Sequence, residues 1–341
     1  MTDSTLTTTT APAGPPVPAP RTDSRLRTYA RLGKLDVYDY YLGTFIALSA
    51  VLLPVGTLTG RTGALFGVFL VGQVFLLMAM TAFDDVTGFR DGSDITNYGP
   101  DHPLRNVNRK PLVAGALTVP EALRFAWVSA VAAALLFAVT AALAPHRPAW
   151  TTIGLVVLWV VTLQYSYGVK LSYHGFQELY LVALGFALVI LPYGMVTGRA
   201  TGFLLVQAVL FGFGPLMFGV YSNTNDVDGD RAVGRPTVAA LTSERGNARF
   251  IGALSLVEFL TIAVASLAGV APWWFVLVML PASLLRLRQY LLGFRAGDIM
   301  RARRTGFAVH RQHLPHIGPL RVRHVRCVAG PSARFFGRVS Q

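Results

Sequence analysis

The sequence GFLLVQAVLFGFGPLMFGVYSNTNDVDGDRAVGRPT, residues 202–237, joins an apolar run of membrane-spanning length to a cluster of carboxylates. Asp226, Asp228 and Asp230 follow directly after the run. Ionisable groups in or near a membrane are costly and commonly functional. A hard divalent cation such as Mg²⁺, which takes carboxylate and phosphate oxygens, is the natural compensation. The stretch therefore predicts a metal-dependent site at the end of a transmembrane helix.

A second acidic cluster lies upstream in the same context. The sequence FDDVTGFRDGSD, residues 83–94, follows the apolar run 63–82 and contains four carboxylates, Asp84, Asp85, Asp91 and Asp94. A solvated loop could carry such acids, but here a second cluster beside a second membrane helix mirrors them. The two clusters together predict one shared site for a metal-bound diphosphate.

The composition is that of a membrane protein. The 341-residue chain is 53% hydrophobic and 14% charged, whereas soluble domains carry about 25% charged residues. The net charge of +13 could indicate nucleic acid, but the basic residues lie in loops and at the two ends. We therefore expect the protein to lie in a lipid bilayer and not to bind nucleic acid. Cys327 is the only cysteine, which excludes a disulfide framework and a cysteine-based metal site.

Eight apolar segments predict an all-α membrane protein, a multi-helix transmembrane bundle around a central cavity. A transmembrane helix needs about 20 mainly apolar residues. The segments are 39–58, 63–82, 121–144, 149–166, 177–197, 202–221, 249–270 and 272–293. The loops between them alternate between long, motif-bearing ones and very short ones.

Charge follows the same alternation. The motif-bearing loops hold most of the loop cations, namely Arg90, Arg105, Arg109, Lys110, Lys170, Arg231, Arg235 and Arg245. The positive-inside rule places such loops in the cytoplasm. We therefore predict a multi-pass protein of the cell membrane, with the N-terminus and the Asp-rich motif loops on the cytoplasmic side.

The two ends differ from the apolar domain, which we place at residues 38–295. Residues 1–37 predict a disordered, basic N-terminal segment. Residues 296–341 form an atypical tail rich in arginine and histidine, without an acidic residue after Asp298. The tail fits a polybasic segment on anionic lipid, a natural ending that has been lost or misread, or, less well, a histidine metal site. We expect it to stay in the cytoplasm, disordered or lying on headgroups.

Further candidates lie between the acidic clusters. In residues 165–178, YSYGVKLSYHGFQE, Lys170 stands alone among apolar and aromatic residues. It could bind a diphosphate or reach to the headgroups, and the tyrosines around it could line a cation-stabilising pocket or an interfacial belt. Cations after the first cluster, Arg105, Arg109 and Lys110, could bind phosphate. In the second cluster Asn223 shares a helix face with Asp226 and Asp230.

These motifs resemble those of the UbiA-type intramembrane prenyltransferase superfamily, and most closely the 1,4-dihydroxy-2-naphthoate polyprenyltransferases of menaquinone synthesis. That branch has a second motif, N-x-x-D-x-x-x-D-R-x-x-G-[KR], which is matched by Asn223, Asp226, Asp230, Arg231, Gly234 and Arg235. Its central pattern is matched by Tyr165, Ser166, Lys170, Leu171, Tyr173, Gly175 and Glu178. The resemblance covers about residues 35–295.

The first motif of that branch, N-D-x-x-D-x-x-K-G-x-D, is matched only in part by residues 84–94. The matching residues are Asp85, Gly92 and Asp94. The chain has Asp84 at the Asn position, Gly88 at the middle Asp position and Asp91 at the Lys position. Asp91 could replace the carboxylate that is absent at Gly88.

The resemblance implies nine helices, of which eight are readable here, with Mg²⁺ as cofactor and an isoprenyl diphosphate as substrate. It implies transfer of the prenyl group to an aromatic, quinone-precursor-like acceptor. The metal-binding residues would be Asp84, Asp85, Asp91, Asp94, Asn223, Asp226 and Asp230. The diphosphate-binding residues would be Arg105, Arg109, Lys170, Arg231 and Arg235. Lys170, Tyr165 and Arg231 would assist catalysis.

The altered first motif leaves a second activity open. In a UbiA-type terpene cyclase, a double bond of the prenyl chain captures the carbocation and no acceptor is needed. A non-enzymatic scaffold or transporter is a third alternative, which two carboxylate clusters on one side of the membrane disfavour.

Overall fold

The computed structural model describes residues 24–35, 41–55, 58–98 and 106–312. Within these ranges the chain is helical and has no strand. The thirteen helices are α1 (Arg25–Leu32), α2 (Leu42–Val55), α3 (Gly60–Asp91), α4 (Ser93–Tyr98), α5 (Val119–Leu143), α6 (Ala149–Leu163), α7 (Gln177–Thr197), α8 (Gly202–Asn225), α9 (Val227–Ala232), α10 (Val238–Leu241), α11 (Glu244–Leu267), α12 (Phe275–Phe294) and α13 (Ile299–Gln312). The prediction of an all-helical membrane bundle is confirmed.

Each of the eight predicted spans corresponds to one helix. Six of these helices, α3, α5, α7, α8, α11 and α12, are long and apolar enough to cross a membrane. The other two, α2 and α6, have 14 and 15 residues, fewer than the about 20 that a span needs.

Helix α3 extends well beyond its predicted end. It has 32 residues and continues through Asp84 and Asp85 to Asp91. It ends where Gly92 takes a left-handed conformation, with φ at 86°, which glycine adopts without steric cost. The first acidic cluster therefore begins on a rigid helix, and the prediction of a loop from residue 83 was wrong.

Helices α7 and α8 cross closely at two glycines. A Cβ atom on Gly185 would lie 2.6 Å from the Cα of Gly212. Small residues allow membrane helices to approach in this way. The close crossing fixes α8, and with it the start of the second acidic cluster, against the centre of the bundle.

The N-terminal segment is partly ordered, contrary to prediction. Arg25–Leu32 form a helix whose N-cap, Ser24, accepts a hydrogen bond from the backbone N–H of Arg27. Leu32 is fully buried, and Tyr29 stacks on Phe125 at 5.3 Å between ring centroids. The apolar contacts outweigh the basic composition here. Residues 1–23 lie outside the described ranges.

The start of the C-terminal tail also differs from prediction. Residues 299–312 form α13, which packs against α8 and α12, with Ala302, Val309 and His310 buried. The small or apolar residues Ala302, Gly306 and Val309 are buried and let this arginine-rich helix join the bundle. Among the residues that the structure describes, His310 belongs to no group of three or more side chains that could hold a metal ion. Residues 313–341, including Cys327, lie outside the described part.

Candidate active site

Both acidic motifs line one polar cavity at one end of the bundle. Its volume is about 110 Å³. The first motif contributes Asp84 from α3 and Asp94 from α4, and the second contributes Asn223, Asp226 and Asp230 from the end of α8 and from α9. Although the two motifs are about 130 residues apart in sequence, they face the same space.

A second space adjoins the first. It has a volume of about 120 Å³ and shares Asp84, Asn223 and Asp226 with the polar cavity. It adds the apolar or aromatic side chains of Met80, Tyr165, Leu181 and Pro215, beside the polar side chains of Thr81 and Gln177. A charged group and an apolar group of one molecule could therefore lie side by side here.

Hydrogen bonds direct the second motif into the cavity. The side chain of Gln177 donates from Nε2 to Oδ1 of Asn223 at 2.9 Å. The hydroxyl of Thr237 donates to Asp230 at 3.1 Å. Asp226 is the C-cap of α8, and its carbonyl accepts the backbone N–H of Asp230 at 2.9 Å, so a helical hydrogen bond spans the break between α8 and α9.

Asp84 and Arg235 connect the motifs to the central stretch. Oδ1 of Asp84 accepts hydrogen bonds from Ser166 Oγ at 2.6 Å and from Arg235 Nη2 at 3.3 Å. The same guanidinium donates to Ser172 Oγ at 3.1 Å and lies 4.5 Å from the ring centroid of Tyr173. Arg235, a predicted diphosphate-binding residue, is thus held inside the cavity. Ser172 is not among the matched residues of the sequence motifs, and its part in the site is visible only from this contact.

Asp85, which the sequence predicts as a metal ligand, is not among the lining residues of the cavity. Its side chain has no exposed surface, and each oxygen faces an ammonium group, from Lys34 at 2.9 Å and Lys110 at 2.8 Å. Burial alone would lower the pKa of Lys110, but Asp85 and Asp94 outweigh it and hold that pKa well above its usual value. Burial lowers the pKa of Lys34 despite Asp85. Asp85 is the shared counter-ion of two cavity-lining lysines.

Asp94 occupies the space above Gly88. A Cβ atom on Gly88 would lie 2.7 Å from Cγ of Asp94, which is closer than atoms of neighbouring side chains can stand. Lys110 pairs with the same carboxylate at 2.8 Å. Asp94, rather than Asp91, therefore fills the position where the resembled motif has its middle carboxylate.

Asp91, also predicted as a metal ligand, is likewise not among the lining residues of the cavity. Its carboxylate accepts hydrogen bonds from the backbone N–H of Ser93 at 3.0 Å and from the Ser93 hydroxyl at 2.8 Å. It also accepts one from the hydroxyl of Tyr173. It ends α3 and orients a tyrosine, so its oxygens are already used.

Of the basic residues predicted to bind diphosphate, some line the polar cavity and others do not. Arg109 and Arg235 line the cavity. Lys170 instead lies 5.1 Å from the ring centroid of Tyr173, and Arg231 is exposed and donates to the Ala240 carbonyl at 3.0 Å. Neither is among the lining residues of either space. Arg105 falls outside the described residues.

Of the tyrosines in the central stretch, Tyr165 lines the second space and Tyr167 does not. Tyr165 lines the second space and packs on Tyr180 at 4.8 Å between ring centroids. Tyr167 stacks on Phe83 at 4.5 Å and is not a lining residue of either space.

Lys34 lines the polar cavity but was not predicted as a site residue. In the sequence it is only one of several basic residues before the first span.

The carboxylates suit a cation that arrives with an anionic ligand. Burial raises the pKa of Asp94 to about 7, with Lys110 opposing. Burial likewise raises that of Asp230 to about 7, with Arg235 opposing. Across the described ranges, no three carboxylates or histidines already converge as a metal centre. Mg²⁺ commonly takes one or two carboxylates and completes its octahedron with phosphate oxygens and water, so Asp84, Asp94, Asp226 and Asp230 fit this cation without a preformed cage.

Solved structures with a similar fold support the architecture. A UbiA homolog from Aeropyrum pernix K1 aligns with a TM-score of 0.57 and 16% identity, over 84% of this chain and 95% of that one. A digeranylgeranylglyceryl phosphate synthase structure aligns with a TM-score of 0.53 and 12% identity, over 85% and 95%. A UbiA homolog from Archaeoglobus fulgidus bound to DMAPP and Mg²⁺ aligns with a TM-score of 0.52 and 15% identity, over 83% and 99%.

Sequence comparison agrees with the fold. No curated protein matches the chain by sequence. The model of the UbiA prenyltransferase family matches residues 40–308. This range includes most of α13 and every lining residue of the two spaces except Lys34. On this match, the chain is a member of the UbiA prenyltransferase family.

Proposed function

We propose that the protein is a Mg²⁺-dependent intramembrane prenyltransferase that ionises an isoprenyl diphosphate and transfers the prenyl group to an aromatic, quinone-precursor-like acceptor. The observation that carries the proposal is the polar cavity in which carboxylates of both motifs meet several cations. A solved neighbour of the same fold is bound to DMAPP and Mg²⁺. The central stretch matches the menaquinone branch, and this match supports the aromatic acceptor. The first motif departs from that branch at Asp84, Gly88 and Asp91 and gives the acceptor no support.

The roles follow from position and charge. Asp84, Asp94, Asp226 and Asp230, with the amide oxygen of Asn223, would hold the cation. When bound, Mg²⁺ neutralises charge on the leaving diphosphate. The chain's own cations in the cavity, Lys34, Arg109, Lys110 and Arg235, donate charge-assisted hydrogen bonds to the diphosphate oxygens. These bonds strengthen as the C–O bond breaks and negative charge develops, which lowers the barrier.

The second space suits the carbocation. It shares Asp84 with the polar cavity, and Tyr165 and Phe218 are among its lining residues. Aromatic faces attract cations, so these two rings would stabilise a carbocation that forms beside the diphosphate. Lys170 and Arg231, which the family resemblance predicts to assist catalysis, are not lining residues of either space. Their proposed role is indirect, through Tyr173 for Lys170 and through the backbone for Arg231. The cell membrane and the cytoplasmic orientation of this end remain predictions of the positive-inside rule.

One assay tests the proposal against the terpene cyclase. Membranes that contain the protein are incubated with Mg²⁺ and prenyl diphosphates of several lengths, with and without aromatic acceptors. Acceptor-dependent release of diphosphate with a prenylated ring supports the transferase. Release with a hydrocarbon product in the absence of acceptor indicates the cyclase. No release under any condition contradicts both.

We expect Asp91→Asn to keep activity within about threefold of wild type, since polar changes away from special features usually alter energies by about 0.5 kcal/mol or less. The amide oxygen of asparagine can still accept the hydrogen bonds from Ser93, and its NH2 group can donate to the hydroxyl oxygen of Tyr173 in place of the bond that Asp91 accepts. Asp94→Asn should reduce diphosphate release far more because Asp94 lines the cavity. If Asp91→Asn severely reduced diphosphate release and Asp94→Asn did not, Asp91 would have to be a metal ligand.

We expect Asp85→Ala to destabilise the protein as well as inactivate it. The change leaves two buried lysines without their common counter-ion, and breaking a buried ion pair from one side costs about 3–5 kcal/mol. Thermal unfolding in detergent, compared with Asp226→Ala, checks this. If Asp85→Ala unfolds at the wild-type temperature, Asp85 does not serve as the counter-ion.

A further inference from the structure

Helix α13 brings a cation into the polar cavity. Arg303 is one of the cavity-lining residues, although it belongs to the segment that the sequence presents as a basic tail. Its guanidinium carbon lies 4.6 Å from the ring centroid of Phe218. Phe218 in turn lines both the polar cavity and the adjoining space. Arg303 therefore lines the polar cavity and contacts a residue that lines both spaces.

The register of α13 is fixed by close contacts to two helices. His310 lies against Gly214 of α8, so closely that a Cβ on that glycine would fall 1.8 Å from the imidazole Nδ1. Toward α12, Gln289 lies over Gly306, where a Cβ would fall 2.8 Å from its Nε2. Ring packing of Phe307 on Phe218, at 5.0 Å between centroids, adds a third contact beside the cavity. Arg303 is thus placed by a docked helix and not by a free tail.

Only one of the three neighbouring arginines of α13 faces the cavity. Arg301 and Arg304 are exposed, whereas Arg303 is half-buried and lies among the lining residues. A guanidinium stacked on an aromatic ring keeps its planar set of donors oriented, which suits bidentate binding of phosphate oxygens. This position is unlike that of a cation that merely meets lipid headgroups.

We infer that Arg303 is a diphosphate-binding residue supplied by the C-terminal helix, and that docking of α13 completes the substrate site. The ligand is the diphosphate group, either of the isoprenyl donor or as the released product. The inference rests on the proposed function for the identity of that ligand. It adds a contact from outside both acidic motifs and the central stretch, and it makes the C-terminal helix part of the active site.

The test measures binding of inorganic diphosphate to the purified full chain in the presence of Mg²⁺, together with KM for a prenyl diphosphate. Arg303→Gln should weaken diphosphate binding at least about tenfold, as expected when a charged hydrogen-bond donor is lost, and should raise KM in parallel. Arg304→Gln, the matched control one residue away, should bind as the wild type does. Arg303→Lys, which keeps the charge and most of the stem, should bind more tightly than Arg303→Gln and less tightly than wild type.

The outcomes separate this inference from the proposed function. If wild type binds and releases diphosphate while Arg303→Gln binds as tightly as Arg304→Gln, the inference is overturned and the proposed function stands. If the wild-type protein neither binds diphosphate nor releases it from a prenyl donor, both are overturned. Thermal unfolding of each variant shows whether α13 remains docked. If Arg303→Gln does not fold, Arg303→Lys decides, and wild-type affinity in Arg303→Lys would overturn the bidentate contact.

Discussion

Asp226→Ala and Asp230→Ala should each abolish detectable release of diphosphate from a prenyl donor. Both carboxylates line the cavity, and each change removes a hard oxygen that a divalent cation needs. Loss of one group that stabilises developing charge typically costs about 10²–10³-fold in rate, and a lost metal ligand should cost no less. The measurement is Mg²⁺-dependent diphosphate release by membranes with equal amounts of each variant.

The chain offers a matched control for this prediction. Asp228 belongs to the same short helix, is exposed and does not line the cavity. Asp228→Ala should therefore retain activity close to wild type. Full activity in both Asp226→Ala and Asp230→Ala would remove the second motif from the active site.

Gly88→Ala should cause a loss of activity of similar size, about 10²-fold, as for removal of a group that stabilises the transition state. The new methyl group would fall 2.7 Å from Cγ of Asp94, so we expect the carboxylate to be displaced from its position in the cavity. Asp94→Ala should give the same loss, and combining both changes should add little, because residues that act through one interaction are not additive.

Gly67→Ala is the control on the same helix, since a Cβ there meets nothing within 4 Å. It should leave activity unchanged. Gly88→Asp combined with Asp94→Ala moves the carboxylate to the position that the resembled motif uses, and it should recover part of the activity lost in Asp94→Ala. If Gly88→Ala kept the activity and the Mg²⁺ dependence of the wild type, activity would not depend on the position of the Asp94 carboxylate.

Adjacent acids in the first motif have opposite environments. Asp84 is accessible in the cavity and bonded to Ser166, whereas Asp85 is buried between two lysines. A motif match assigns both to metal binding because it records residue type and order. The different effects expected for Asp85→Ala on stability and for Asp226→Ala on activity follow from this difference in burial.

The helices and the general position of the site could be predicted from sequence because they depend on short-range patterns. Helix α7, residues 177–197, begins and ends where its apolar run does. Asn223, Asp226 and Asp230 lie within eight residues, so local helical geometry alone brings them to one cavity. Hydropathy over about 20 residues reports burial in lipid directly, and the same signal is absent for α1 and α13.

The partners of the charged residues were decided only by tertiary structure. Lys34 meets Asp85 across 51 residues and Lys110 meets it across 25, and Arg303 reaches the cavity from the far end of the described chain. Asp94 stands in for a side chain at Gly88 because the chain turns at Gly92. The sequence by itself determines which segments enter the membrane and where acids gather. Which acid faces a ligand and which faces a lysine depends on contacts between distant helices, and no local periodicity encodes those contacts.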